Sequence, residues 1–81
     1  MLQHLNLSKN NIKQLQKLQS NMMLTELILY SNLVESIPKN FSFPILKLLK
    51  ISMNKITLLR IGYCPMLETI DAKDNLISQI D

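Results

Sequence analysis

Leu24 to Pro38 reads LTELILYSNLVESIP, with apolar residues at its first, fourth, sixth, eleventh and fourteenth positions and an asparagine at its ninth. Around Leu27 and Leu29 the pattern alternates with period two, as a strand buried on one face must, and it then breaks at Asn32 into a turn. A helix, with apolar residues three and four apart throughout, does not read this way.

The stretch recurs along the chain. Leu2, Leu5, Leu7, Asn10, Ile12 and Leu15 hold the same slots 22 residues earlier, and Leu46, Leu49, Ile51, Asn54, Ile56 and Leu59 hold them 22 residues later. A fourth copy follows after 21, with Leu67, Ile70, Ala72, Asn75, Ile77 and Ile80. The chain is 47% apolar. At that frequency, random filling of every apolar slot is expected less than about once in a million trials. Four aligned asparagines reduce the chance further.

Read as LxxLxLxxNxIxxL at a period inside the range of roughly 20 to 29, these residues resemble the leucine-rich repeat over nearly the whole chain. The resemblance implies an α/β solenoid, a right-handed superhelix. A parallel β-sheet would line its concave side, with loops and short helical or 3-10 turns on its convex side. Residues 1-81 would form one domain with repeats at 2-23, 24-45, 46-66 and 67-81. It also implies that Asn10, Asn32, Asn54 and Asn75 form a ladder, each burying its amide against backbone groups of the bend. The 22-residue period in NNIKQL and NKITLL is similar to the intracellular class of protein phosphatase regulators, dynein-associated light chains and ciliary assembly proteins. Ile37-Pro38 and Phe41 in the second repeat are closer to the class common in receptor ectodomains and some cytosolic signalling scaffolds.

A chain of 81 residues is short for a compact globule, which buries only about 60 to 65% of its unfolded surface at this size. An array of stacked repeats meets the limit through nearest-neighbour contacts and needs at least about three copies. Neither end of the pattern shows a polar cap, so the expectation is a segment of a longer array or one whose ends are covered. Inward slots in the second repeat are Leu24, Leu27, Leu29, Val34 and Ile37. The return segments are short. Gln16 to Met23 has helix-like spacing through Leu18, Pro38 to Ile45 reads as a short helical turn or an extended run, and Arg60 to Met66 is one residue shorter. Phe41, Phe43 and Tyr63 are expected to fill the core from these returns. With one glycine in the chain, asparagine is expected to take much of the turn chemistry.

Several function classes lose support here. Cys64 is the single cysteine and His4 the single histidine, so no disulfide framework, metal-ligand set or redox pair is expected. Cys64 reads as a small buried hydrophobe. No serine or cysteine has a base at a plausible position, and no glycine-rich phosphate loop exists, so neither an enzyme nor a cofactor or small-molecule substrate is expected. No apolar run approaches 18 residues and the amino terminus lacks a signal-peptide pattern, which points to an intracellular setting, cytoplasmic or cytoskeletal and ciliary. The asparagine triplets starting at Asn6 and Asn40 are read as chance.

Charge is uneven. Residues 1 to 66 carry eight Lys or Arg against Glu26 and Glu35, a net of +6, and residues 67 to 81 carry Lys73 against Glu68, Asp71, Asp74 and Asp81, a net of −3. An acidic end suits a basic partner, or end-to-end contact with further repeats or another chain. A basic stripe interleaved with aromatics is missing, which disfavours nucleic acid.

The outward slots of the four strands should form columns. They are His4, Glu26, Leu48 and Thr69; Asn6, Ile28, Lys50 and Asp71; Ser8, Tyr30, Ser52 and Lys73; and Lys9, Ser31, Met53 and Asp74. A water-facing sheet normally holds polar residues at such slots. Ile28, Tyr30, Leu48 and Met53 therefore read as the anchor of a protein interface, and Glu26, Lys50, Asp71 and Lys73 as its charged rim. The expected function is a non-catalytic module that binds a protein on its concave face. The alternative is a purely structural segment of a larger repeat protein.

Overall fold

The computed structural model of this chain describes residues 3–15, 23–38 and 41–80. It contains six short strands: β1 (His4–Asn6), β2 (Glu26–Ile28), β3 (Leu48–Lys50), β4 (Leu58–Leu59), β5 (Thr69–Asp71) and β6 (Gln79–Ile80). Four of them, β1, β2, β3 and β5, make one sheet in that order, and every neighbouring pair is parallel. The register follows the sequence repeat: Leu5 stands beside Leu27, Leu27 beside Leu49, and Leu49 beside Ile70. Alternation along each strand sends the middle residue to the core and its neighbours to the other face. Leu27 and Leu49 are fully buried, whereas Glu26, Ile28, Leu48 and Lys50 are half-buried.

Parallel neighbours cannot be joined by a hairpin and need a crossover. Among the described residues the crossovers hold bridged segments and turns and no helix. Ser36 and Leu58, one repeat apart, form a parallel bridge, and β4 pairs in parallel with β6 at Leu58 and Gln79, so a second narrow ladder runs opposite the main sheet. The parallel sheet is the part of the expected α/β class on display; no helical or 3-10 turn occurs among the described residues. Of the two readings of Pro38 to Ile45, the extended one holds around Ser42, which is bridged to Tyr63, before the chain turns at Pro44 and Ile45. Leu2 and all of the helix-like stretch 16–23 except Met23 lie outside the described residues.

Prolines set the corners of two returns. Leu46 donates its N–H to Phe43 C=O at 3.1 Å, and Leu67 donates to Cys64 C=O at 3.1 Å. Each closes a four-residue turn with proline, Pro44 or Pro65, in the second place, where its fixed φ fits.

A different residue carries the backbone cost of the bend after each strand. Lys9, Ser31, Met53 and Asp74 have φ of 60°, 60°, 57° and 57°. They occupy one slot in all four repeats, immediately before the aligned asparagine. The expectation that asparagine takes much of the turn chemistry is corrected for this left-handed slot alone, since each aligned asparagine still bonds carbonyls of its own bend. The left-handed region costs a residue with a Cβ roughly 1 kcal/mol or more. Hydrogen bonds to the next repeat offset it: Lys9, Ser31 and Met53 donate their N–H groups to the carbonyls of Tyr30, Ser52 and Lys73 at 3.1, 3.1 and 2.9 Å.

The asparagines have another task, which is to tie each bend to the one before it. Asn32 Oδ1 accepts from the N–H groups of Asn10 and Ile12 at 3.1 and 3.2 Å, and its Nδ2 donates to Leu7 and Leu29 carbonyls at 3.0 and 2.9 Å. Asn54 accepts from Val34 N–H at 3.1 Å and donates to Leu29, Ile51 and Ser52 carbonyls at 3.0, 2.9 and 3.1 Å. Asn75 accepts from Ile56 N–H at 3.1 Å and donates to Ile51 and Ala72 carbonyls at 3.0 Å each. Asn10 donates only to carbonyls of its own bend, Leu7 and Ser8. Burial follows the same order. Asn32 and Asn54 are buried, Asn75 is half-buried and Asn10 is exposed, so the expected burial of all four amides is corrected for the outer two.

The core lies between the two ladders and is concentrated in the second and third repeats. It comprises Leu24, Leu27, Leu29, Val34, Ile37, Phe41, Phe43, Leu46, Leu49, Ile51 and Ile56, with Leu15 from the first repeat. Phe41 and Phe43 pack edge to face, with ring centroids 4.8 Å apart. Tyr63 does not join them. It is 64% exposed, against the expectation that it fills the core. The shortened third return explains this: the bridge sets Tyr63 opposite Ser42, an outward slot, and Ile61 and Cys64 face the core instead. A one-residue slip in an extended segment exchanges its faces. Cys64 is half-buried rather than enclosed, and that burial pushes its thiol pKa up, opposed by a backbone hydrogen bond at Phe43 that lowers it.

Candidate functional site

The candidate site is the face of the sheet turned away from the core. Strand register places His4, Glu26, Leu48 and Thr69 in one row and Asn6, Ile28, Lys50 and Asp71 in the next. Ladder bonds continue past the strands, so Ser8, Tyr30, Ser52 and Lys73 form a third row: their carbonyls from Tyr30 onward accept from Lys9, Ser31 and Met53. Adjacent strands lie about 4.8 Å apart. Tyr30 stands two residues beyond Ile28, past the end of β2 in the continued ladder, and Leu48 lies diagonally across from Ile28 on the neighbouring strand. These three half-buried side chains are thus contiguous on one face.

Charged groups surround them. Glu26 and Lys50 flank the apolar trio in the two central strands, and Asp71 and Lys73 extend the rim on the β5 side. Asp71 Oδ1 also accepts from Lys73 N–H at 3.3 Å, and Asn6 Oδ1 accepts from Ser8 N–H at 3.1 Å in the equivalent slot of the first repeat. Such contacts stiffen the backbone two residues on, as short polar side chains do in turns. They hold the rim without occupying the whole carboxylate.

Met53 sits apart from the trio. The sequence places it in an outward column, but it occupies the left-handed bend beyond the strand and is 55% exposed, at the margin of the face. Ser31 Oγ, its column neighbour, approaches Met53 Sδ at 3.7 Å. Seven of the eight expected partner-binding residues, namely Glu26, Ile28, Tyr30, Leu48, Lys50, Asp71 and Lys73, are brought together over three adjacent strands.

One pairing escaped the sequence reading. His4 Nδ1 lies 3.3 Å from Glu26 Oε2 across neighbouring strands. The two were assigned to one column, and directly opposed polar side chains on neighbouring strands meet; the signal was therefore present in the repeat alignment. Both side chains are well exposed, so the contact contributes little to stability. No group of three or more His, Cys, Asp or Glu that could hold a metal ion occurs among the described residues. Among them, too, no helix is long and apolar enough to cross a membrane. A shallow depression of about 340 Å³ lies elsewhere, lined by Asn11, Ile12, Lys13 and Gln14. Lys13 is its one charged group among the described residues.

Compared with protein-family models, curated proteins and solved structures, the chain matches none.

Proposed function

We propose that the chain is a leucine-rich-repeat solenoid and a non-catalytic protein-interaction module, which takes a protein partner on its concave face. The single observation that carries this reading is the contiguous trio of Ile28, Tyr30 and Leu48 on the open face of a parallel sheet. An apolar anchor with an amphipathic aromatic at its centre and a mixed-charge rim is the anatomy of a protein interface. The 22-residue register and the asparagine ladder support the repeat reading, because stacked bends leave buried N–H and C=O groups that a side-chain amide can pair on both sides. Lys50 and Lys73 stand beside Asp71. That mixture suits a protein surface of mixed charge better than a polyanion. In this reading the setting is intracellular, where the free Cys64 stays reduced.

The test is a double substitution. Tyr30→Ala with Leu48→Ala should abolish capture of the partner, identified by crosslinking mass spectrometry on the unaltered chain. The far-UV circular dichroism spectrum should persist, since neither side chain belongs to the buried core. Retained binding, or loss of the folded spectrum, would contradict the assignment of these residues to a binding face.

A further inference from the structure

The turn that leads into each strand carries an apolar residue at its tip. Met23, Ile45 and Met66 stand immediately before Leu24, Leu46 and Leu67, in one slot of three successive repeats. Ile45 and Met66 hold the third place of the turns closed by Leu46 and Leu67, where polar residues and glycine are usual. Met23 and Met66 are 40% and 48% exposed and Ile45 is half-buried; none of the three belongs to the core or to the shell packed against it. The exposure belongs to the slot, since the second repeat and the fourth share it. Core packing therefore does not account for the apolar choice, and the stacking of repeats lines these side chains up as an outward ridge.

Charge runs along one flank of the ridge. Two residues beyond each tip, Thr25, Lys47 and Glu68 form a row: Lys47 donates its N–H to Thr25 C=O at 2.8 Å, and Glu68 donates to Lys47 C=O at 3.0 Å. The Lys47 and Glu68 side chains are exposed. Among the described residues the one ion-pair contact joins His4 to Glu26, so these neighbouring opposite charges do not neutralise each other within the chain. On the other flank, three residues before each tip, stand Ser42 and the exposed Tyr63, bridged to one another.

We propose that this turn edge is the contact surface of a symmetric dimer, with a second copy of the chain as its occupant. A twofold axis crossing the ridge between the third and fourth repeats runs the two ridges antiparallel. Ile45 then meets the partner's Met66, and Met66 meets the partner's Ile45. The same axis sets Lys47 against the partner's Glu68, and Tyr63 against the partner's Ser42, each of them twice. Charge selects both the occupant and the alignment. An axis through Ile45 would oppose the two Lys47 side chains, and an axis between the second and third repeats would set Lys47 against Thr25. The axis between the third and fourth pairs both charges of the row, so the surface is complementary to itself. Unbranched methionine adapts readily to such a contact. The patch is small, so association is weak, and it closes at two copies because an isologous contact uses each patch once. It lies on the turns rather than on the open face, so it stands or falls independently of the protein-partner reading.

Sedimentation velocity on the 81-residue chain, run from micromolar to millimolar concentration, tests this. The average mass should rise with concentration and level off at twice the 9.4 kDa of one chain. Met66→Ser should weaken association about tenfold, because it removes both central apolar contacts. Lys47→Glu and Glu68→Lys should each weaken it about tenfold, because each turns two opposite-charge pairs into like-charge ones. The double variant, Lys47→Glu with Glu68→Lys, should associate as well as the unaltered chain, since the two charges have only changed places. Circular dichroism checks that each variant folds. A chain that stays monomeric at millimolar concentration overturns the proposal, as does growth past the dimer. So does a double variant that associates no better than the single ones, or association removed by Tyr30→Ala with Leu48→Ala and untouched by Met66→Ser.

Discussion

Asn54→Ala should destabilise the chain by about 3 kcal/mol, and Asn10→Ala by about 0.5 kcal/mol or less, although both asparagines hold the same slot of the repeat. The difference lies in what each amide leaves behind. Leu29 C=O keeps a second partner in Asn32 Nδ2, and Ile51 C=O keeps one in Asn75 Nδ2. Val34 N–H has no such reserve. Its bond to Asn54 Oδ1 is the one it makes among the described residues, and Val34 is fully buried. A buried donor without a partner costs about 1 to 3 kcal/mol, and the vacated side-chain volume adds a cavity term. At Asn10 the freed carbonyls, Leu7 and Ser8, are open to water or already bonded to Asn32. Urea denaturation followed by circular dichroism measures both values, provided the slope of the transition is unchanged. Equal losses at the two sites would remove the ladder as the source of stability.

Phe43→Ala is expected to have the largest effect of any single truncation, about 3 to 5 kcal/mol. Phe43 is fully buried and packs edge to face on Phe41 at 4.8 Å. Its backbone is fixed at both ends, since its N–H donates to Tyr63 C=O at 3.0 Å and its carbonyl closes the turn at Leu46. Little relaxation can therefore fill the hole. A chain of this size has a total stability of only about 4 to 12 kcal/mol, so the variant should lose a large fraction of it and melt well below the unaltered chain. Tyr63→Ala provides the contrast. This residue is 64% exposed and should cost about 0.5 kcal/mol or less. Thermal melts of the two variants side by side separate the roles of two aromatics that a count of hydrophobic residues treats alike.

Strand positions and register were legible in the sequence, because the leucine slots recur with a period that only one pairing of strands can satisfy. Leu5, Leu27, Leu49 and Ile70 were assigned to one inward column, and they are neighbours in the sheet. Tyr63 was misplaced because it was grouped with Phe41 and Phe43 as an aromatic of a return, without allowing for the one-residue deletion. Counting back from the turn prolines, Pro44 and Pro65, aligns Tyr63 with Ser42 and turns it outward. Left-handed residues were hidden for another reason. Lys9, Ser31, Met53 and Asp74 share no chemistry, so the strain at that slot comes from the ladder bonds on either side and leaves no mark on residue type. Burial of the asparagines was legible only for the central repeats, since it depends on neighbours that the spacing alone does not supply. The face itself followed from alternation, and its composition could be read directly; its margin at Met53 could not, because alternation ends where the strand does.

The central claim is that this register sets Ile28, Tyr30 and Leu48 on one open face, and nuclear Overhauser spectroscopy on the isotope-labelled chain tests it most directly. Parallel pairing predicts interstrand contacts linking Glu26 to Leu48, Leu27 to Leu49, and Ile28 through Lys50 to Asp71. Antiparallel pairings would contradict the parallel sheet, and a register shifted by one residue so that Ile28 contacts Leu49 would turn Ile28 and Tyr30 into the core; either result contradicts the account.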